Sequence, residues 1–219
     1  MSGFIATSEQ ADLKTKQSRQ LLRQQVRQQR QQLTLAQQDA AAISLLARFC
    51  DHKKIQAATS IALYLSNDGE VNTQQLIDWC WQQGKNVYLP VVHPFSAGHL
   101  LFLHYQPHTP LVKNRFGIGE PKLDVRNVIL PTQIDIICTP LVAFDDTGAR
   151  LGMGGGFYDR TLQHWYQHFQ ANKKSKPYPI GLAHDCQRVT AIASEHWDIP
   201  LPEIITPSKH FSFKLKPQL

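Results

Sequence analysis

Hydrophobic and polar positions along this chain fall into helical and strand-like stretches that alternate. Residues 13–38 are rich in Gln, Arg, Lys and Leu and contain no acid, glycine or proline, so good helix formers predict a helix there. Thr34 is placed to cap a second helix from Leu35 to about Cys50, because its hydroxyl can accept a bond from an orphan backbone N–H and an alanine-rich apolar pattern follows. Residues 59–65 form a short apolar run that ends in Ser66, Asn67, Asp68 and Gly69, which predicts a buried strand followed by a turn. Asn72 or Thr73 opens a helix through Gln83, Gly84 ends it, and residues 87–92 read as the next strand, completing a βαβ unit.

Further strands are predicted over residues 100–105, 134–138, 178–183 and 203–206, with residues 141–144 continuing the strand before them or starting a short successor. Residues 116–121 read as a constrained loop, and residues from Phe157 to about Phe169 have helical composition. This order predicts an α/β fold: a mainly parallel open sheet with helices on both faces, a Rossmann-like three-layer sandwich. One domain over residues 1–219 is expected, with flexibility in the first dozen residues, residues 172–177 and the tail after Pro207. In such sheets ligands gather beyond the carboxyl ends of the strands, so loops 66–70 and 145–156 are expected to share one cleft.

Composition narrows the function classes. Hydrophobic residues make up 42% and charged residues 18% of 219, which is ordinary globular usage rather than the signature of disorder. The apolar runs fall short of the ~18 residues a membrane span needs, so no membrane partner and a cytoplasmic location are expected. Cys50, Cys80, Cys138 and Cys186 form no CxxC pair and are read as reduced thiols. The net charge of +6 is concentrated in residues 1–54, where nine basic side chains face four acidic ones. A localised basic element suggests an anionic partner, with nucleic acid and polyphosphate both open.

The strongest chemical signal is the stretch Arg150, Leu151, Gly152, Met153, Gly154, Gly155, Gly156, Phe157, Tyr158, Asp159 and Arg160 between a predicted strand and a predicted helix. Backbone N–H groups and a helix N-terminus can receive an anion there, and glycines let the backbone approach a phosphate. Phe157 stands where a dinucleotide fingerprint requires its third glycine, and no Gly-Lys-Ser/Thr ending is present, so neither standard nucleotide motif is satisfied. Arg150 can clamp a phosphate with its planar fork, and Asp159 can hold a magnesium ion. A tight strand-to-helix connection with a helix-start acid is the alternative.

Arg19, Arg23, Arg27 and Arg30 recur at helical spacing and share one face, either to hold an anion or as a solvated surface. No aromatic residue interleaves with them, which weakens the case for nucleic acid. Glu70 is either a hydrogen-bond acceptor for a heterocycle or an exposed loop acid. Asp198 is either a second metal carboxylate or a turn residue before Pro200. The histidines are assigned structural or surface roles rather than zinc binding.

The glycine stretch, Pro140 to Asp145, Trp197 to Thr206, Arg19 to Arg23, Leu65 to Thr73 and Gly84 to Pro90 together resemble, in sequence and in order, the 5-formyltetrahydrofolate cyclo-ligase family over about residues 19–208. The resemblance implies a small-molecule enzyme acting on 5-formyltetrahydrofolate and ATP, as a monomer. It implies ATP contacts at Arg19, Arg23 and Arg150 to Tyr158, magnesium at Asp159 and Asp198, and folate contacts at Leu65, Glu70 and Phe116, with Arg150 and Tyr158 as the catalytic side chains. Arg19 stands where many members have Lys, and Phe157 where Tyr is frequent. Met153 and Gly155 occupy positions that some members fill with basic residues. A non-catalytic nucleotide- or RNA-binding protein using the basic helix is the main rival. A sugar-phosphate isomerase or acyl transferase on a similar scaffold is the other.

Overall fold

The computed structural model of the chain describes residues 2–171 and 175–215. The helices are α1 (Ser2–Gln31), α2 (Leu35–Asp51), α3 (Lys53–Ala57), α4 (Gln74–Gln82) and α5 (Phe157–Ala171). The strands are β1 (Ser60–Ala62), β2 (Asn86–Val92), β3 (Leu100–Tyr105), β4 (Leu111–Lys113), β5 (Gly119–Pro121), β6 (Val128–Ile129), β7 (Ile136–Thr139), β8 (Ala143–Phe144), β9 (Arg150–Leu151), β10 (Tyr178–Leu182), β11 (Glu203–Ile205) and β12 (His210–Ser212).

Eight strands join in the order β12-β11-β10-β7-β1-β2-β3-β6. The run from β11 to β2 is parallel, while β12, β3 and β6 each pair antiparallel with an inner neighbour. The remaining strands form two hairpins, β4 with β5 and β8 with β9. Successive strand residues point to opposite faces, and the cores follow that alternation. Ile61, Ile136 and Cys138 pack with Phe49 of α2, Ile55 of α3 and Leu76 and Ile77 of α4. Ala62 and Ile137 face the other way, against Phe102 and Ile134. On the same side α5 contributes Leu162 and Trp165 to a cluster with Leu141 and Ile204. Helices therefore cover both faces, as the pattern predicts.

From β1 the chain passes to β2 on one side and later returns to β7 on the other side of β1. The connections after β1 and β7 thus diverge at their carboxyl ends, where an open α/β sheet leaves its ligand crevice. Helix α1 lies against the β8–β9 hairpin at this end, with Val26 packed among Val142, Ala143 and Leu151.

Several elements depart from the sequence-based expectation. The first helix starts at Ser2 and stops at Gln31, because a capping box closes the next one: Gln37 N donates to Thr34 Oγ1 at 3.2 Å and Thr34 N to Gln37 Oε1 at 2.8 Å. α3, with the His52 side chain as its N-cap, was not anticipated. Part of the expected loop at 116–121 is strand β5, and β3 runs antiparallel to β2. Of the segments expected to be flexible, residues 2–12 are part of α1, and residues 1, 172–174 and 216–219 lie outside the described residues.

Candidate active site

A cavity of about 510 Å³ opens at the crevice between the β1 and β7 connections. One wall comes from the glycine turn and the start of α5, with Arg150, Gly152, Met153, Gly155, Gly156, Phe157, Tyr158 and Asp159 lining it. The opposite wall brings Leu65 and Glu70 from the loop after β1 together with Phe116 from the β4–β5 hairpin. The two loops expected to share a cleft do so.

The glycine turn begins as β9 leaves its hairpin and ends as α5 starts, so an exposed bend precedes a helix N-terminus. Met153, Gly154 and Gly155 are exposed rather than packed into the core. Gly154 has φ 102, and a methyl group on it would stand 3.9 Å from the guanidinium carbon of Arg23. A methyl group on Gly155 would lie 2.7 Å from the Phe157 ring. Both positions favour glycine, the first for its backbone and the second for space. Leu151, by contrast, is core, and its carbonyl accepts Val142 N at 2.7 Å.

Arg150 is buried, and its Nη2 pairs with Asp159 Oδ1 at 2.8 Å, while its Nε has no hydrogen-bond partner. A buried guanidinium donor left unpaired is costly, and Arg150 carries one while lining the cavity. Asp159 Oδ1 also accepts Ile199 N at 3.1 Å, which ties the start of α5 to the segment carrying Asp198.

On the other wall, burial raises the Glu70 carboxyl to about 7, against the opposing effects of an Asn67 backbone bond and of Arg30. Its Oε2 accepts Asn67 N at 3.1 Å. Burial, with Glu70 and Cys138 nearby, also pushes the Tyr158 hydroxyl well above its usual value, so it stays a donor at neutral pH. The rings of Phe116 and Phe157 meet edge to face with centroids 6.0 Å apart, giving the cavity an aromatic rim. Asn114 shapes the hairpin loop: its Oδ1 accepts Phe116 N at 2.9 Å and its Nδ2 donates to Glu120 at 3.0 Å.

Residues 15–207 match the model of the 5-formyltetrahydrofolate cyclo-ligase family. The chain belongs to this family. It is 53% identical over 184 residues to the 5-formyltetrahydrofolate cyclo-ligase of Escherichia coli K12, covering 84% of this chain and 97% of that one. It is 50% identical over 190 residues to the Haemophilus influenzae 5-formyltetrahydrofolate cyclo-ligase, covering 86% and 97%. Its fold is similar to that of the Aquifex aeolicus 5,10-methenyltetrahydrofolate synthetase, with TM-score 0.74 and 26% identity over 92% of this chain and 95% of the other. Among the described residues no helix is long and apolar enough to cross a membrane.

For a cyclo-ligase family member, the placement of the basic helix is informative. Arg19 forms an ion pair with Asp198, donating Nη2 to Oδ1 at 3.0 Å with a still closer Nη1–Oδ2 contact. That bond, opposed by burial, raises the Arg19 pKa, and Asp159 adds a weaker pull. Arg23 donates Nε to the Gly152 carbonyl at 2.8 Å, and no carboxylate lies within ion-pair distance of it among the described residues. Burial and then Arg19 lower its pKa, and the more distant Asp198 offsets them only in part. Arg27 and Arg30 are spent internally, both on Asp68. The four-arginine face is neither a bare solvated surface nor a free nucleic-acid ladder.

Asp68 and the fully buried Arg30 were missed as site-building residues, since nothing in their spacing names the partner. A second cluster was missed too: His52, Glu203 and His210, whose candidate ligand atoms lie within 4.8 Å of one another. His164 and His168, four apart on α5, stack with centroids at 6.0 Å, a helical pair that the spacing alone would have revealed.

Proposed function

We propose that this chain catalyses the ATP-dependent cyclisation of 5-formyltetrahydrofolate to 5,10-methenyltetrahydrofolate with release of ADP and phosphate. The observation that carries the reading is the single cavity in which a glycine turn with an unpaired guanidinium donor faces a carboxyl and an aromatic edge. A triphosphate suits the first wall, and a flat heterocycle with N–H donors suits the second.

The formyl oxygen is a poor leaving group. Its attack on the γ-phosphorus forms an O–P bond and breaks the bond to the ADP oxygen, giving an imidate phosphate. N10 then attacks the formyl carbon, the C–O bond breaks, phosphate departs with that oxygen, and N10 loses its proton. No covalent nucleophile from the protein is required. The protein's work is alignment and charge stabilisation. Arg150 and the N–H groups of residues 152–156 bind and orient the phosphates, with Arg23 adjacent to Gly154. Glu70, once ionised, accepts N–H donors of the heterocycle, while Phe116 and Phe157 exclude water from its faces. Tyr158 keeps its proton and donates within the cavity.

Asp159 Oδ2 carries no hydrogen bond among the described residues and offers the hard carboxylate oxygen that magnesium prefers, whereas both Asp198 oxygens are held by Arg19, with Glu195 N on Oδ2, so Asp198 would join the ion only on giving up that pair. Bound there, magnesium would supply neutralisation of phosphate charge. The test is absorbance of the methenyl product from 5-formyltetrahydrofolate with and without ATP and magnesium. Product only with both present is expected; product formed without ATP, or none at all, overturns the reading.

A further inference from the structure

We propose that Asp68 is a positioning residue for this reaction, through which helix α1 aligns the two walls of the cavity; the inference rests on the function proposed above. Asp68 stands at φ 52, the one non-glycine residue with positive φ among the described residues. Asp and Asn adopt that backbone state more readily than other L residues, because their short polar side chains can hydrogen-bond nearby.

What holds its carboxylate is a fan of donors from one end of α1. Arg27 gives Nε and Nη2 to the Asp68 carboxylate at 2.7 and 3.1 Å, Arg30 gives Nη2 at 2.7 Å, and Gln31 gives Nε2 at 2.5 Å. Arg30 also donates Nε to the Asp68 carbonyl at 2.9 Å and Nη1 to the Leu141 carbonyl at 3.4 Å. One fully buried guanidinium therefore ties the loop after β1 to the segment after β7, the two connections between which the crevice opens. Without the Asp68 carboxylate that charge is buried and uncompensated.

The same helix grips the phosphate wall further upstream. Arg23 holds the Gly152 carbonyl at 2.8 Å, and Arg19 pairs with Asp198. A helix rises about 1.5 Å per residue and is stiff along its axis, so the spacing between the glycine turn and the Asp68 clamp is set by α1. Downstream of the clamp, Glu70 is placed by the turn itself: its N–H donates to the Asn67 carbonyl at 3.0 Å, and its carboxylate accepts Asn67 N at 3.1 Å. The carboxyl that receives the heterocycle is thereby held in register with the turn that receives the phosphates.

Asp68→Asn tests this with little disturbance, since Asn tolerates the left-handed backbone and keeps the volume while removing the charge. Its kcat for methenyl formation should fall roughly 10- to 100-fold, the loss that follows about 1 Å of misplacement between reacting groups. KM for 5-formyltetrahydrofolate should rise, with KM for ATP changed by no more than about twofold. Arg27→Ala combined with Asp68→Asn should lose no more than Asp68→Asn alone, because both belong to one contact. Amide exchange should quicken in residues 65–70 and stay unchanged in residues 152–156. A lower melting temperature with kcat and both KM values at wild-type levels, additive losses in the double variant, or unaltered exchange in residues 65–70 each overturns the positioning role. If the wild-type chain makes no methenyl product with ATP and magnesium, the proposed function itself fails; wild-type turnover with an indifferent Asp68→Asn variant defeats this inference alone.

Discussion

Two ion-pair networks anchored by carboxylates occupy opposite ends of the sheet, and they differ in what they leave unsatisfied. At the amino end of β10 and β11, Glu203 receives four side chains. His52 Nε2 lies at 2.5 Å and His210 Nε2 at 3.0 Å from one oxygen, and Lys54 Nζ and Tyr178 Oη each lie at 2.6 Å from the other. His52 Nδ1 in turn accepts Ile55 N at 3.4 Å, so its Nε2 carries the proton and points it at Glu203. That tautomer leaves no lone pair on His52 Nε2 for a metal. At the carboxyl end, the Arg150–Asp159 pair keeps one buried donor without a partner, and Arg23 has no carboxylate within ion-pair distance among the described residues. A closed network stabilises the fold; an open one beside a cavity is prepared for a ligand.

The largest effect expected from this contrast is on turnover. Arg150→Lys keeps the charge but loses Nε and the fork, and should lower kcat about 10²- to 10³-fold, the loss typical of removing one donor that stabilises transition-state charge. Its melting temperature should stay near wild type, measured by thermal unfolding alongside the absorbance assay; near-wild-type kcat in this variant erases the distinction between the two networks.

Glu203→Gln should behave in the opposite way, losing about 3 kcal/mol of stability in denaturant unfolding at pH 7 while kcat per folded molecule is preserved. Burial pushes the Glu203 carboxyl up, but the bonds from His52, Lys54 and Tyr178 outweigh it and hold the carboxyl far below its ordinary value of 4.5. A depressed folded value means that the stabilisation is fully present above about pH 4.5 and is lost as pH falls through the folded value. The gap between variant and wild type should therefore narrow on acidification below pH 4.5; a gap that widens there contradicts the linkage.

A third expectation concerns Glu70, on the wall proposed to take the heterocycle. Glu70 is raised to about 7, so in the free protein it is mostly protonated below that pH and accepts N–H donors more weakly. KM for 5-formyltetrahydrofolate should fall as pH rises through about 7. Glu70→Gln should flatten this profile and raise KM at pH 8 by about tenfold or more, the worth of a hydrogen bond to a charged group. An unchanged pH profile in the variant assigns the titration to another group.

The smallest effect sharpens the comparison from within the closed network. Lys54 is half exposed, so Lys54→Ala should cost less than about 1 kcal/mol although it contacts the same carboxylate as His52. A loss as large as that of Glu203→Gln would mean that Lys54, rather than the buried donors, carries the cluster.

How much of this was legible in the sequence differs between the same regions. The glycine turn could be placed beside the cavity because its residues are consecutive between a strand and a helix, and Glu70 from its loop after β1, whereas Leu65 and Phe116 were named only through resemblance. Strand direction could not be read, since the apolar run at residues 100–105 looks alike parallel or antiparallel; only its hairpin to β2 decides. Strands of two or three residues, such as β6, β8 and β9, are too short to show a period. The spacing of Arg27 and Arg30 reveals a shared face, but not that a left-handed aspartate 38 residues after Arg30 receives both. Glu203 and its histidines come from α2–α3, β11 and β12, so their meeting is a property of the fold and not of any motif.

The margins of the sheet carry a consequence of their own. Both outermost strands are brief, three residues in β12 and two in β6, and each runs antiparallel to its inner neighbour. A neighbouring molecule seeking to extend the ladder finds only a few free peptide groups at either rim. The parallel interior, whose own strands β1 and β11 are only three residues long, is thus closed sideways by antiparallel partners that leave little ladder to extend.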